Sequence, residues 1–239
     1  MAKEMRTPET ITANPWCPGC GHGIFARLMQ EVLTEKDLLD KNICVNGVGC
    51  SVLCMRTYPL GNLMTCHHGR APSCANAAKR LEPDVCFWTY QGEGDAYSIG
   101  LAETILAAQN DYPISVFVIN NTNYGMTGGQ SSQTTTPGQI TTTTPSGKDG
   151  PALNIIPMLA SIDSLAYVAR GTTASLSEII KLKKYIGKAI DVQMNQKKYA
   201  FVEILSPCPS NWHMNLQQCQ DRILNDLAMN YFPLGEFKG

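Results

Sequence analysis

Glu93 and Asn121 stand 28 residues apart, each just past an apolar run that reads as a buried strand: Val85-Cys86-Phe87-Trp88-Thr89-Tyr90 and Ile114-Ser115-Val116-Phe117-Val118-Ile119. A carboxylate and an amide oxygen are hard donors, and together they make half of a site for a cation such as Mg²⁺, whose remaining octahedral positions usually fall to phosphate oxygens and water. Gly92 and Gly94 flank Glu93 and let the backbone approach a phosphate, while the following helix offers unpaired N–H groups to the anion. The helical stretch between the two runs, roughly Tyr97 to Gln109, makes a strand–helix–strand unit. Its strands are expected to be parallel neighbours, with their C-terminal ends side by side where open α/β sheets bind ligands.

A second chemistry is written in cysteine. Cys17-Pro18-Gly19-Cys20 puts two thiols on one tight turn at metal-ligand spacing, a pattern shared by cluster sites, zinc knuckles and thioredoxin-like dithiols. No second C-x-x-C pair follows, so further ligands must come singly. Cys50, in the turn Gly47-Val48-Gly49-Cys50-Ser51, and Cys208, between Pro207 and Pro209 after the last strand, both sit at strand exits. Cys54 competes with Cys50 for that role. Cys44 and Cys86 lie in apolar strands and read as small core residues; Cys66, Cys74 and Cys219 have no assigned role.

The rest of the chain supplies the frame. A single domain spanning 1–239 is expected, with an N-terminal arm to about residue 15 and a C-terminal tail from about 207. Its fold class is α/β, a mostly parallel sheet with helices on both faces. Helices are expected near 24–33, 71–81, 154–162 and 176–192, and strands near 42–45, 165–169 and 199–205. From Gly128 to Pro151 regular structure stops, and seven threonines fall within 134–144; a loop of that length in a compact domain is more often functional or partner-bound. The stretch from Leu216 to Gly239 reads as a helix and a Pro/Gly tail whose apolar residues suit packing on another subunit. With 19 basic and 20 acidic residues the net charge is −1, which gives no electrostatic case for nucleic acid or an anionic membrane. No membrane span or signal-peptide core is present, so a cytoplasmic protein is expected, and its ten cysteines point to metal binding or burial rather than disulfides.

These motifs carry a family likeness. Gly-Asp-Gly followed at this interval by Asn-Asn is the thiamine diphosphate motif. The surrounding Tyr90-Gln91-Gly92-Glu93-Gly94-Asp95 and Asn120-Asn121-Thr122-Asn123-Tyr124-Gly125-Met126-Thr127-Gly128-Gly129-Gln130 resemble the β subunit of 2-oxoacid:ferredoxin oxidoreductases of the 2-oxoisovalerate and 2-oxoglutarate types. The likeness runs from Trp16 to Phe232-Pro233-Leu234-Gly235. It departs at Glu93, where the family has Asp: the charge is kept and a methylene added. Because the spacing to Asn121 is unchanged, Glu93 is assigned to the metal, with Asp95 as the alternative.

The resemblance implies the diphosphate half of a thiamine diphosphate-binding fold. Mg²⁺ would be held by Glu93, Asn121 and the Asn123 carbonyl. Val48, Gly49, Cys50, Ser51, His67, His68, Gly69, Arg70, Gly94, Asp95, Gly125 and Met126 would surround the cofactor. His68 is the expected catalytic group, donating to the diphosphate or the substrate carboxylate. Cys17, Cys20, Cys50 and Cys208 match the ligands of a [4Fe–4S] cluster. The implied reaction converts a 2-oxoacid, coenzyme A and oxidised ferredoxin into acyl-CoA, CO₂ and reduced ferredoxin. An α subunit would supply the pyrimidine-binding half and its activating Glu, and γ and ferredoxin-like δ subunits complete the implied assembly. Leu53, Met55 and Arg56 would face the substrate side chain, leaving branched-chain 2-oxoacids and 2-oxoglutarate both open. Two readings compete: a non-redox thiamine diphosphate-dependent decarboxylase subunit, which would not need the four cysteines, and a zinc-stabilised subunit without catalysis.

Overall fold

Two runs of buried residues decide the architecture: Cys86–Gly92 (β3) and Ser115–Asn120 (β4), in which only Gly92 is not fully enclosed. Such strands need both faces covered, which is how parallel sheets are built. In the computed structural model, which describes residues 14–56 and 62–239, they pair in parallel, with Tyr90 opposite Phe117 and Gly92 opposite Ile119. Five further strands complete a seven-stranded sheet in the order β2-β1-β3-β4-β6-β5-β7. These are Asn42–Asn46 (β1), Leu63–Thr65 (β2), Tyr167–Thr172 (β5), Ala200–Leu205 (β6) and Gly235–Lys238 (β7). All pairings are parallel except β5 with β7.

Helices Gly21–Glu35 (α1) and Leu176–Asp191 (α5) cover one face; Ala71–Leu81 (α2), Leu101–Gln109 (α3) and Ile156–Ala160 (α4) cover the other. The periodicity behind this is plain in α5. Leu182, Ile186, Ala189 and Ile190 fall on one stripe and are all buried, and Ser175 caps the first turn by accepting from the Glu178 N–H at 3.4 Å. In α1 the stripe is Phe25, Leu28, Met29, Val32 and Leu33; Phe25 sits 4.8 Å from the Tyr90 ring and 5.6 Å from Phe117. The chain leaves β1 toward β2 on one side and returns to β3 on the other. The strand order therefore reverses between β1 and β3, and the crevice at their C-terminal ends is where an α/β sheet binds its ligand.

The expected α/β class and most elements stand. The helix after β3 is the main local difference: Gly94–Ile99 forms a π-helical turn and α3 proper begins at Leu101, an irregularity common at functional sites. Of the N-terminal arm, residues 1–13 lie outside the described residues. The C-terminal tail closes the far edge of its own sheet, while Leu216, Met229 and Phe237 within it stay exposed. After Pro209–Trp212 (α6) and Leu216–Arg222 (α7), residues Ile223, Leu227 and Phe232 are buried in a third small core with Trp212 and Cys219. The unforeseen β7 then caps β5 as an antiparallel edge strand.

One buried ion pair pins that edge. Arg170 on β5 pairs with Glu203 on β6, donates to Asn154 Oδ1 at 2.7 Å and to the Pro233 carbonyl at 3.1 Å, and lies 5.4 Å over the Phe232 ring. Glu203 also accepts from Tyr97 Oη at 2.9 Å and Asn120 Nδ2 at 3.0 Å. Removing one partner would leave an uncompensated buried charge, which costs about 3–5 kcal/mol. Arg170→Ala is therefore expected to lower the thermal midpoint by roughly 10 °C, measured by scanning calorimetry.

Candidate active site

The crevice between β1 and β3 is closed by one carboxylate. Asp95, buried in the first turn after β3, accepts from the backbone N–H of Gly69 at 2.8 Å and of Val48 at 3.2 Å, and from Gln91 Nε2 at 2.5 Å; His68 Nδ1 lies against it. Asp95 thus ties the turn after β1 to the turn before α2. Gly47 makes this possible: a Cβ there would lie 2.0 Å from Asp95 Oδ2. Asp95 accepts these three hydrogen bonds, lies against His68 Nδ1, and so braces the two turns. The N–H groups of Val48 and Gly69, two of the residues expected around the cofactor, are directed at Asp95.

Glu93 is the carboxylate turned into the pocket. It is 3 % exposed and accepts from Ser132 Oγ at 3.1 Å. Burial pushes its carboxyl up to about 8, against the opposing hydrogen bonds from its own N–H, Ser132 and the Asn123 N–H. Asn120 and Asn121 each fold their amide oxygen back on the N–H two residues on, Asn120 on Thr122 at 3.1 Å and Asn121 on Asn123 at 3.3 Å. The pair therefore does cap the strand with a turn, and in doing so presents Asn121 and Asn123 to the pocket beside Glu93.

The pocket wall gathers Val48, Gly49, Cys50, His68, Glu93, Gly94, Asp95, Asn121, Asn123, Gly125 and Met126, most of the residues that the sequence nominated. Its glycines leave a cradle: Gly49, at φ +140°, and Gly92 would each point a Cβ into open space. Hard oxygens beside an open glycine-lined turn fit a magnesium-bound diphosphate. Four nominated residues do not reach the wall. Ser51 is buried with its hydroxyl unpartnered, His67 and Arg70 face outward, and Arg70 is ion-paired with Glu103; Gly69 is behind Asp95. The pocket also takes residues that had no assigned role there, among them His22 and Tyr124. His22 is held by a 2.5 Å contact from Nδ1 to Tyr90 Oη, is stacked 5.7 Å from Trp16, and is pushed by burial down to about 3, so its imidazole is neutral.

Loop 128–151 braces this wall from behind. Thr135 Oγ1 at 2.7 Å and Gln139 Nε2 at 3.1 Å both donate to the carbonyl of Thr122, whose φ is +59°. Lys148 Nζ sits among four carbonyls, those of Thr135 at 2.7 Å, Pro151 at 3.2 Å, Gln133 at 3.3 Å and Ser132 at 3.5 Å. The threonines are therefore an internal scaffold more than a surface feature; Thr134 and Thr135 are wholly buried. Lys148→Met is expected to raise amide exchange across 131–139 by at least roughly tenfold, since each such charge-assisted bond contributes about 1.5–3 kcal/mol. Hydrogen-exchange mass spectrometry checks this.

The thiols converge next door. Cys17, Cys20, Cys50 and Cys208 line one cavity of about 110 Å³ with Trp16, Leu53 and Asn211. Burial pushes the Cys20 thiol up to about 12, and the neighbouring sulfurs of Cys208, Cys50 and Cys17 add to it against a hydrogen bond from the His22 N–H. Cys50 is pushed up to about 11, by burial and then by Cys208, Cys17 and Glu93. Among the described residues no three His, Cys, Asp or Glu side chains close on one ion. The four cysteines line one cavity without closing on a single point. Cys54 is excluded from this set: it is buried in the core and accepts from Asn46 Nδ2 at 2.9 Å. Leu53, expected near the substrate, lines the thiol cavity, Met55 is 52 % exposed, and the Arg56 side chain lies outside what is described.

Cys50, Asn121 and Gly125 line both spaces, so the two sites share a wall. A concavity of about 690 Å³ between α1 and α5 is apolar with a rim of ion pairs such as Arg27–Glu31 and Lys183–Glu31; it holds no convergent donor set. Among the described residues no helix is long and apolar enough to cross a membrane.

Comparison with known proteins agrees with this geometry. The family described as thiamine pyrophosphate enzyme, C-terminal TPP binding domain, matches residues 47–204. The ketoisovalerate oxidoreductase subunit VorA of Methanothermobacter thermautotrophicus is 37% identical over 239 residues, 98% of this chain and 50% of that protein. The 2-oxoglutarate synthase subunit KorB of Methanocaldococcus jannaschii is 34% identical over 226 residues, 93% of this chain and 80% of its own length. The solved 2-oxoglutarate:ferredoxin oxidoreductase from Magnetococcus marinus, with 2-oxoglutarate, coenzyme A and succinyl-CoA bound, has a TM-score of 0.73 at 28% identity, covering 87% of this chain and 68% of that one. The chain thus spans about half the length of the VorA relatives that it matches.

Proposed function

The chain belongs to the thiamine pyrophosphate-binding subunits of the 2-oxoacid:ferredoxin oxidoreductases, and from that premise we propose that it supplies the diphosphate site and the electron exit of such an enzyme. Glu93, the Asn121 amide and the Asn123 carbonyl would hold Mg²⁺ against the diphosphate, and Cys17, Cys20, Cys50 and Cys208 would hold a [4Fe–4S] cluster. When bound, thiamine diphosphate supplies the electron sink for decarboxylation of a 2-oxoacid, and the cluster a one-electron route outward. His68, held through Nδ1 by Asp95, would orient the substrate carboxylate. His22, neutral and screened by Trp16, keeps that wall dry without adding charge. Overall a 2-oxoacid, coenzyme A and oxidised ferredoxin would give acyl-CoA, CO₂ and reduced ferredoxin. The complementary pyrimidine-binding half and its Glu would come from an α subunit, and electrons would leave through a ferredoxin-like δ subunit to ferredoxin, with a γ subunit completing the assembly.

The observation that carries this reading is the shared wall. A phosphate-and-metal pocket alone would suit a non-redox decarboxylase, and a four-thiol cavity alone would suit zinc. A wall shared through Cys50, Asn121 and Gly125, one of them a cysteine, suits a device that passes electrons from one to the other. The test is purification without oxygen together with co-expressed neighbouring subunits, followed by metal analysis and viologen reduction with a panel of 2-oxoacids and coenzyme A. The expected result is roughly four iron atoms per chain, bound thiamine diphosphate, and 2-oxoacid-dependent reduction. Zinc at the cysteines with no cofactor retained would overturn it.

A further inference from the structure

The two sites are joined by one side chain as well as one wall. Asn211, in the short α6 turn that follows Cys208, points its amide nitrogen at three acceptors at once: the Gly125 carbonyl at 3.0 Å, Asn123 Oδ1 at 3.3 Å and Cys208 Sγ at 3.5 Å. Gly125 and Asn123 belong to the metal-side turn; Cys208 belongs to the thiol cavity. The neighbouring Trp212 extends the same link, donating from Nε1 to the Asn121 carbonyl at 3.0 Å. Asn211 has little room to swing away. Gly129 packs so closely that a Cβ there would lie 3.1 Å from Asn211 Cβ, Cγ and Oδ1. An amide carries two N–H hydrogens, so three acceptors share two donors, and a gain in negative charge at one draws the amide from the others.

We propose that Asn211 is a positioning residue that couples the cofactor turn to the cysteine cavity, setting both how firmly the Asn121–Gly125 turn is held and how readily the Cys208 sulfur carries negative charge. The proposal rests on the function assigned above. An N–H donor to a ligand sulfur favours the reduced, more negative cluster, because hydrogen bonds to the sulfurs help set its potential. The same amide, by holding Asn123 and Gly125, keeps the metal-side turn shaped before the diphosphate arrives. The indole N–H of Trp212 reaches only the Asn121 carbonyl, and Phe keeps both its backbone bond to the Cys208 carbonyl at 2.9 Å and its apolar packing beside Cys208, so losing that N–H alone separates the effects.

The experiment uses the holoenzyme with its partner subunits, prepared without oxygen. Asn211→Ala is expected to shift the cluster's reduction equilibrium roughly fivefold toward the oxidised form, about 40 mV at 59 mV per decade for one electron, read by EPR-monitored redox titration. The same variant is expected to weaken thiamine diphosphate binding several-fold, read by isothermal titration. Trp212→Phe is expected to weaken cofactor binding while leaving the potential unmoved. Asn211→Leu, which keeps the approximate shape and removes both donors without adding charge, provides the same comparison should the Ala variant fail to assemble. Iron-loaded Asn211 variants with wild-type potential and cofactor affinity would overturn the coupling while leaving the proposed function intact. A wild-type protein that holds no iron would overturn both.

Discussion

Glu93→Gln is expected to weaken Mg²⁺-dependent thiamine diphosphate binding by roughly 100-fold, because truncating one member of a buried charge pair costs on the order of 3 kcal/mol. Gln keeps the size and one carbonyl oxygen, so the loss reports the charge. Asp95→Asn should act differently: its carboxylate accepts three hydrogen bonds that tie two turns together, so the expected result is a looser pair of turns, with lower stability and a smaller loss of affinity. The pH dependence gives an independent check. Glu93 has a folded carboxyl pushed up to about 8 from an ordinary value of 4.5. Between these values the metal-free folded protein holds a proton that the unfolded chain has released, so stability falls as pH rises through that window and levels off above about 8. A cation needs the ionised form, so Mg²⁺ binding should strengthen over the same window and release a proton. Denaturation of the metal-free protein at pH 5 and pH 8, with and without Glu93→Gln, measures the first effect. Titration calorimetry in buffers of different ionisation enthalpy measures the second. A variant whose stability keeps the wild-type pH slope would place the titrating group elsewhere.

The likeness at Glu93 and Asn121 was legible because each residue ends a buried strand, and a strand's end is written locally in the change from apolar run to polar turn. That same locality explains what was missed. β2 is three residues long and only partly buried, too short for alternation to register. β7, Gly-Glu-Phe-Lys, carries two charges in four residues and becomes a strand only because β5 offers an unpaired edge. The apolar tail before it reads as exposed until Arg170, Phe232 and Pro233 are seen to meet. In the site, the motif Gly-Glu-Gly-Asp names two carboxylates but not their division of labour. That is set by Val48 and Gly69, 47 and 26 residues away from Asp95, which no spacing rule reaches. His22, Ser132, Lys148 and Asn211 enter for the same reason, through contacts across tens of residues. The sequence did carry one usable hint to Asn211: it follows a nominated ligand, Cys208, by three residues on a proline-started turn.

Replacing the cavity cysteines singly gives the other large effect. Cys20→Ser or Cys208→Ser in the oxygen-free holoenzyme is expected to abolish the broad, dithionite-bleachable visible absorption and to take viologen reduction to background. That exceeds the roughly 10–100-fold that loss of an outer-shell partner costs a metal site. Thiamine diphosphate binding should survive these two substitutions within a few-fold, because neither side chain lines the diphosphate pocket. Cys50→Ser differs in kind. Its side chain lies in the common wall, so the expected result is loss of the cluster together with a measurable weakening of the cofactor. Cys54→Ser is the control: four residues from Cys50, buried against Asn46 and outside the cavity, it should cost stability and leave the iron content unchanged. This pattern separates the readings more sharply than activity does. A zinc site would tolerate an apoprotein refilled with Zn²⁺ and show no bleachable absorption in any variant. A decarboxylase without redox chemistry would turn over 2-oxoacid unchanged in the Cys20 and Cys208 variants. Only a cluster that drains the neighbouring cofactor makes all three ligand substitutions silence electron transfer while sparing, in two of the three, the binding of the cofactor itself.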